Sequence, residues 1–218
     1  MANGGDGGPL RWSKGRSLKQ GEDRAWELLE TSDPQDVCER AEAHYSEDDR
    51  TYTLPVLGHP IVVDAAAHTL RGSSAEAEFI LTKTAYFSRL SILHYLLGAK
   101  KLAPTGRLIK PTELKSGQIY IKGSHLLPLD GIATRFSKEP EGFVRQGARF
   151  GGEPRSYGDA AVELRPFSRV PVTLIFWLED DEFPGRSYLL FDETCEEHLP
   201  PDIVWSVAMM CALAMLKG

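Results

Sequence analysis

The chain has 218 residues, 42% of them hydrophobic and 26% charged, and a formal net charge of −6. At this length roughly 70% of the unfolded surface can be buried, so neither a disulfide nor a metal is needed for stability. The acidic balance, with no basic cluster carrying interleaved aromatics, excludes a general nucleic-acid surface, and the lack of a run of about 18 apolar residues excludes a membrane-spanning helix.

Residues 1–20 are Gly-rich and basic, without a signal peptide's apolar core, and they read as a disordered tail. Residues 21–218 read as a single α+β domain in the cytoplasm. Glu22 to Glu30 has a helical pattern with Trp26 and Leu29 on its apolar face. Asp33 then caps a second helix with Pro34 at its first position, and Val37, Ala41 and His44/Tyr45 follow at helical steps. Thr51–Leu57 and Ile61–Ala65 are β-rich runs around Gly58-His59-Pro60, a hairpin signal, and His68 falls in a solvated turn.

The stretch AEAEFILTKTAYFSRLSILHYLLG, Ala75 to Gly98, reads as the longest helix. Ser73 and Glu76 have capping-box spacing and Gly98 stands where a left-handed cap is usual. Phe79, Tyr86, Leu90, Leu93 and Leu97 form one apolar stripe, and Leu81, Ala85, Ile92 and Leu96 a second. A helix apolar on two flanks is buried between layers. Thr84, Ser88 and Ser91 form a strip of small residues that lets another backbone approach.

A loop-rich passage follows, with a short strand at Gln118–Ile121 and two helices at Leu129–Phe136 and Glu141–Phe150. Ala160–Leu164, Val170–Leu178 and Ser187–Phe191 read as strands, with turns at Arg165–Arg169 and Asp180–Gly185. The second strand is apolar on both faces and therefore central. Asp202–Lys217 is a terminal helix. The expected class is α+β: antiparallel strands, about 51–65 and 160–191, packed around a long central helix, about 75–97, with a C-terminal helix.

The strings LSILHYLLGAK, PTELKSGQIY, GGEPRSYGDAAVEL and RVPVTLIFWLEDDEFPGRSYLLFDETCEEHLP, in this order, resemble a bacterial and archaeal family catalogued as domain of unknown function 3786. The resemblance covers about residues 25–217. Many relatives carry a cysteine-rich iron–sulfur segment of the type found in corrinoid and electron-transfer proteins of anaerobes. This chain carries Cys38, Cys195 and Cys211 far apart and no such cluster. The resemblance implies an accessory role in anaerobic redox or one-carbon metabolism, with a small molecule, a corrinoid or an iron–sulfur protein as partner. It implies no catalytic residues.

Four places carry polar residues of chemical interest. Asp180, Asp181 and Glu182 follow the most hydrophobic strand, where carboxylates suit a hard cation and equally suit a β-turn. Asp192 and the C-x-x-H pair Cys195/His198 offer half a transition-metal site, or a solvated acidic loop whose carboxylates raise the His198 pKa. Asp159 follows Gly158 where backbone approaches a ligand, or is a turn aspartate. His94 on the central helix is a ligand or proton carrier, or a core histidine bonded to a carbonyl. Phosphate-loop and nucleophile-elbow motifs are absent. Two functions follow. One is a non-enzymatic binding module with His94 and Asp159 as cofactor contacts. The other is a metal-dependent enzyme using Asp180, Glu182, Asp192 and His198. If the last two strands pair as a hairpin, its acidic turn and Asp192 stand about 16 Å apart, which weakens a shared site.

Overall fold

In the computed structural model, which describes residues 14–115, 117 and 126–218, helix α1 spans Lys14–Glu30. It therefore starts inside the segment expected to be a tail. Residues 1–13 of that segment, like the expected strand at Gln118–Ile121, lie outside the described residues. Helix α2 (Pro34–Ala41) begins as expected, with the Asp33 side chain accepting from the Gln35 amide. It stops before His44/Tyr45. Glu42 turns left-handed at φ 52°, and His44–Ser46 becomes strand β1. Tyr45 pairs across to Tyr52 with ring centroids 4.9 Å apart, a cross-strand contact that outweighs one more helical turn.

β1, β2 (Thr51–Val56), β3 (His59–Asp64) and β4 (Thr69–Arg71) form an antiparallel meander in that order. The hairpin turn is Leu57-Gly58, one residue earlier than the sequence suggests, with both φ positive at 48° and 77° as a two-residue hairpin loop requires. His59 and Pro60 belong to β3. The turn lies against the backbone of Gly151, and a Cβ on Gly58 would stand 2.7 Å from the Gly151 Cα. His59 ties the same corner together. Its Nε2–H donates to the Arg149 carbonyl at 2.8 Å, which leaves Nδ1 of the neutral ring to accept from the Ser74 hydroxyl at 3.0 Å.

The expected central helix is two helices, α3 (Ala75–Thr82) and α4 (Ala85–Gly98). Ser74 caps α3, accepting from the Ala77 amide, where the spacing favoured Ser73. The break has a specific cause. The Ile80 carbonyl is taken by the hydroxyls of Thr84 at 2.7 Å and Ser88 at 2.8 Å, while the Thr84 amide reaches back to Phe79. Side-chain hydroxyls thus compete with the backbone ladder. The strip of small residues is the deepest face: Thr84, Ser88 and Ser91 are buried together with Ile92, Tyr95 and Leu96, while Tyr86 is 56% exposed. α4 packs against α1, α2 and the C-terminal helix α8 (Pro201–Lys217), so it is enclosed.

The second sheet is antiparallel with order β5-β9-β8-β7-β6: β5 Leu108–Ile109, β6 Glu153–Arg155, β7 Ala160–Phe167, β8 Val170–Trp177 and β9 Arg186–Asp192. β8 is central, as its apolar run predicts. β7 continues to Phe167 through a bulge after Leu164, where the sequence suggests a turn from Arg165. The bulge frees the Arg165 carbonyl, which accepts from the Leu57 amide at 3.1 Å and joins the two sheets. One face of this sheet carries Val162, Leu164, Val172, Leu174, Phe176, Leu189 and Phe191 into the hydrophobic core. Helices α5 (Leu129–Phe136), α6 (Pro140–Arg149) and α8 lie on that side. The class is α+β, with two antiparallel sheets and helices between and beside them. The opposite face of the larger sheet, by the two-residue alternation, presents Glu163, Arg165, Thr173, Ile175, Trp177, Tyr188, Leu190 and Asp192.

Candidate functional site

The residues singled out in the sequence fall in separate places. His94 is half-buried on α4; burial pushes its pKa down, and Asp202 opposes this. Asp159 is a clip. Its carboxylate accepts from the Leu178 amide at 2.8 Å and its own amide donates to the Phe176 carbonyl at 3.0 Å, holding the start of β7 to the end of β8. Asp180 caps its own turn, accepting from the amides of Glu182 and Phe183 at 2.9 and 2.7 Å, and those bonds hold its carboxyl below the usual range. Glu182 is exposed beside it.

Asp192 and His198 are buried, not in a solvated loop. Asp192 accepts four hydrogen bonds: from the amides of Thr105 (3.3 Å), Gly106 (2.7 Å) and Thr194 (3.0 Å), and from the Thr194 hydroxyl (2.7 Å). Burial works to raise its pKa, but these donors prevail and it is lowered. Residues Cys195–His198 form one helical turn, α7. His198 Nδ1 accepts from the Lys100 amide at 3.2 Å, and its buried Nε2 has no hydrogen-bond partner among the described residues. The net shift of its pKa is downward, against the expectation. Burial, then Arg169 and Lys100, push it down, and Glu197 and Asp192 do not compensate. Burial also drives the Cys195 thiol up to about 12, far from an activated nucleophile.

The proposed metal set is not brought together. Trp177 pairs with Arg186 beside the Asp180 turn, and Val172 with Phe191 beside Asp192. Five residues of strand separate these pairs, about 17 Å. Among the described residues no three His, Cys, Asp or Glu side chains gather closely enough to hold a metal ion.

What sequence reasoning missed is a polar cavity of about 190 Å³ on the outer face of the five-stranded sheet. Arg155, Glu163, Arg165, Thr173 and Asp192 line it, with Tyr157 and Gly106 at its walls. Glu163 is its centre. Arg155 Nε donates to Oε2 at 3.2 Å, and the Nη2 atoms of Arg155 and Arg165 approach Oε1 at 3.1 and 2.8 Å. Among the described residues no N–H is aligned on Oε1, so charge and not an aligned hydrogen bond holds that oxygen. Asp192 shapes one wall by gathering the Thr105-Gly106 amides. A signal was available for Glu163 alone: it alternates with the apolar Val162 and Leu164 of the strand read at Ala160–Leu164, whereas Arg165 was read as the start of a turn.

Residues 33–214 match the family described as Domain of unknown function (DUF3786). The chain belongs to this family. The DUF3786 match runs from the cap of α2 into the last turn of α8, so it contains both sheets and the whole cavity. No curated protein and no solved structure matches the chain. Among the described residues no helix is long and apolar enough to cross a membrane.

This DUF3786 cavity is polar and charged. Its lining offers guanidinium donors, the Thr173 hydroxyl and carboxylates already engaged by neighbours. Arg165 keeps donors beyond Glu163 and the Ser168 carbonyl, and its side chain is 44% exposed. A planar guanidinium fork of this kind suits a carboxylate or phosphate. The volume is below the roughly 300–1,000 Å³ of drug-sized sites, too small to enclose a corrinoid or haem.

Proposed function

We propose that this DUF3786 chain is a non-enzymatic binding module that holds a small carboxylate-bearing molecule in the outer-face cavity, as an accessory to the anaerobic redox or one-carbon chemistry implied by the resemblance. One observation carries the reading. Glu163, with its side chain only 15% exposed, sits between two arginines on the sheet face turned away from the hydrophobic core. Glu163 is largely withdrawn from water and needs its charge partners there, while Arg155 and Arg165 stay 32% and 44% exposed, and the cluster contributes nothing to core packing. A few convergent polar groups in a concave site are candidates for recognition.

The test is calorimetric titration of the full chain with small mono- and dicarboxylates, with a corrinoid and haem as size controls. Binding of a small carboxylate is expected. Arg165→Gln weakens it. Glu163→Gln strengthens it, because the resident carboxylate no longer competes for the guanidinium groups. Heat from none of the carboxylates, or binding indifferent to both substitutions, ends the reading.

A further inference from the structure

We propose that the β8–β9 end of the outer sheet face is a docking surface for a partner protein presenting an arginine- or lysine-rich segment. This surface adjoins the cavity, with Tyr157 at their shared edge. Of the eight exposed large apolar side chains among the described residues, three belong to β8, β9 or the loop between them, Trp177 at 40%, Phe183 at 53% and Tyr188 at 44%, and a fourth, Tyr157 at 46%, stands on the β6–β7 turn beside them. They form one patch. Trp177 pairs with Arg186, whose guanidinium lies 5.7 Å from the Trp177 ring centre and 5.5 Å from that of Phe183. Tyr188 stands opposite Ile175. Gly158, next to Tyr157, passes so close that a Cβ there would meet Ile175 at 2.8 Å and the Trp177 ring at 3.3 Å. Exposed apolar residues scattered singly are ordinary, but a contiguous group built of Trp, Tyr, Phe and Arg has the composition of an interface centre.

The patch is held ready by backbone bonds. Asp180 fixes Glu182 and Phe183 through their amides, and Asp159 fixes Leu178. Aromatics presented on an ordered turn lose little freedom on binding.

Charge selects the occupant. Glu179, Asp180, Asp181 and Glu182 are consecutive and exposed, and the stretch from Trp177 to Arg186 contains a single cation, Arg186, already lying over two rings. A cationic segment is steered by the four carboxylates and stacks on the open aromatic faces. A second copy meeting the same patch across a two-fold axis would bring like charges together.

The test titrates the full chain into labelled short peptides rich in arginine and lysine, and into peptides of equal length with glutamate in their place, following anisotropy at low and raised salt. The basic peptides bind and the acidic ones do not. Phe183→Ser and Trp177→Ser each weaken binding about tenfold or more, as loss of an interface centre does. Asp181→Asn with Glu182→Gln flattens the salt dependence. Phe183 lies on an exposed turn, so its variant keeps the fold even where the Trp177 variant does not; thermal melts check both. Absent binding of the basic peptides overturns the proposal. So does binding indifferent to Phe183→Ser, which marks undirected charge attraction. Sedimentation showing self-association that Phe183→Ser abolishes also overturns it, since the occupant is then a second copy.

Discussion

Replacing Gly58 by alanine tests the corner where the two sheets meet, and its cost separates into two parts. Gly58 has φ of 77°, where an L-residue costs about 1–2 kcal/mol, offset by roughly 0.4–1 kcal/mol from the stiffer unfolded chain. The added methyl would also lie 2.7 Å from the Gly151 Cα and 3.2 Å from its nitrogen. Those are backbone atoms, so no side chain can swing away, and overpacking of this kind costs about 1–3 kcal/mol more. The total is about 2–4 kcal/mol, a shift of about 4–16 °C in melting temperature for a chain of this size. Gly106 is the control. Its φ is 79° but a Cβ there meets nothing within 4 Å, so Gly106→Ala carries the backbone term alone, about 1 kcal/mol. Urea unfolding of the two variants measures the difference. Equal losses would mean that the hairpin turn and the α6–β6 connection are not in contact, and the description of how the sheets join would be wrong.

Two further outcomes follow from buried titratable groups. His198 and His94 both have pKa values lowered by burial, so the unfolded chain binds more protons as pH falls through their unfolded value near 6.5. Stability is therefore fully present above about pH 6.5 and declines below it toward the folded values, with a slope of at most about 1.4 kcal/mol per pH unit for each histidine. Denaturant midpoints measured across that range check this, and His198→Gln should flatten the slope; a midpoint constant from neutral to mildly acid pH contradicts the burial of these rings. Asp192→Ala removes the acceptor for four donors and leaves the buried Thr194 groups unpaired, a loss of about 2–4 kcal/mol. Amide exchange at Thr105 and Gly106 should accelerate in that variant, and unchanged protection there would refute the wall-forming role.

The elements legible in the sequence were those long enough to carry a period. Helix α5 matches its pattern at both ends, and β8, β9 and α8 agree within two residues. Strands β1, β4, β5 and β6 have two or three residues each, too few for alternation to register, and they exist only because a longer strand offers them a ladder. The central helix failed differently. Its apolar pattern continues straight through Lys83-Thr84, and nothing in a hydrophobic period reveals that two hydroxyls take the Ile80 carbonyl.

The candidate site shows why local acidity is a poor guide to solvation. Asp192 lies in a run of carboxylates, which reads as a wet loop. Its donors at Thr105 and Gly106 stand 87 and 86 residues away in the chain, beyond the reach of any local pattern. The carboxylate that looked available to a metal is consumed in building a cavity wall, whereas Glu163, unremarked because it sits in a plain strand, is the charge at the centre of the cavity. The two roles separate experimentally. Asp192→Ala should lower stability and ligand binding together, since the wall loosens with the fold. Glu163→Gln leaves Arg155 and Arg165 facing each other without a counter-charge, so it should lower the stability of the free chain while it tightens carboxylate binding. A variant at Glu163 that loses both would place that residue with Asp192 among the supports, and would move the search for the ligand off this face of the sheet.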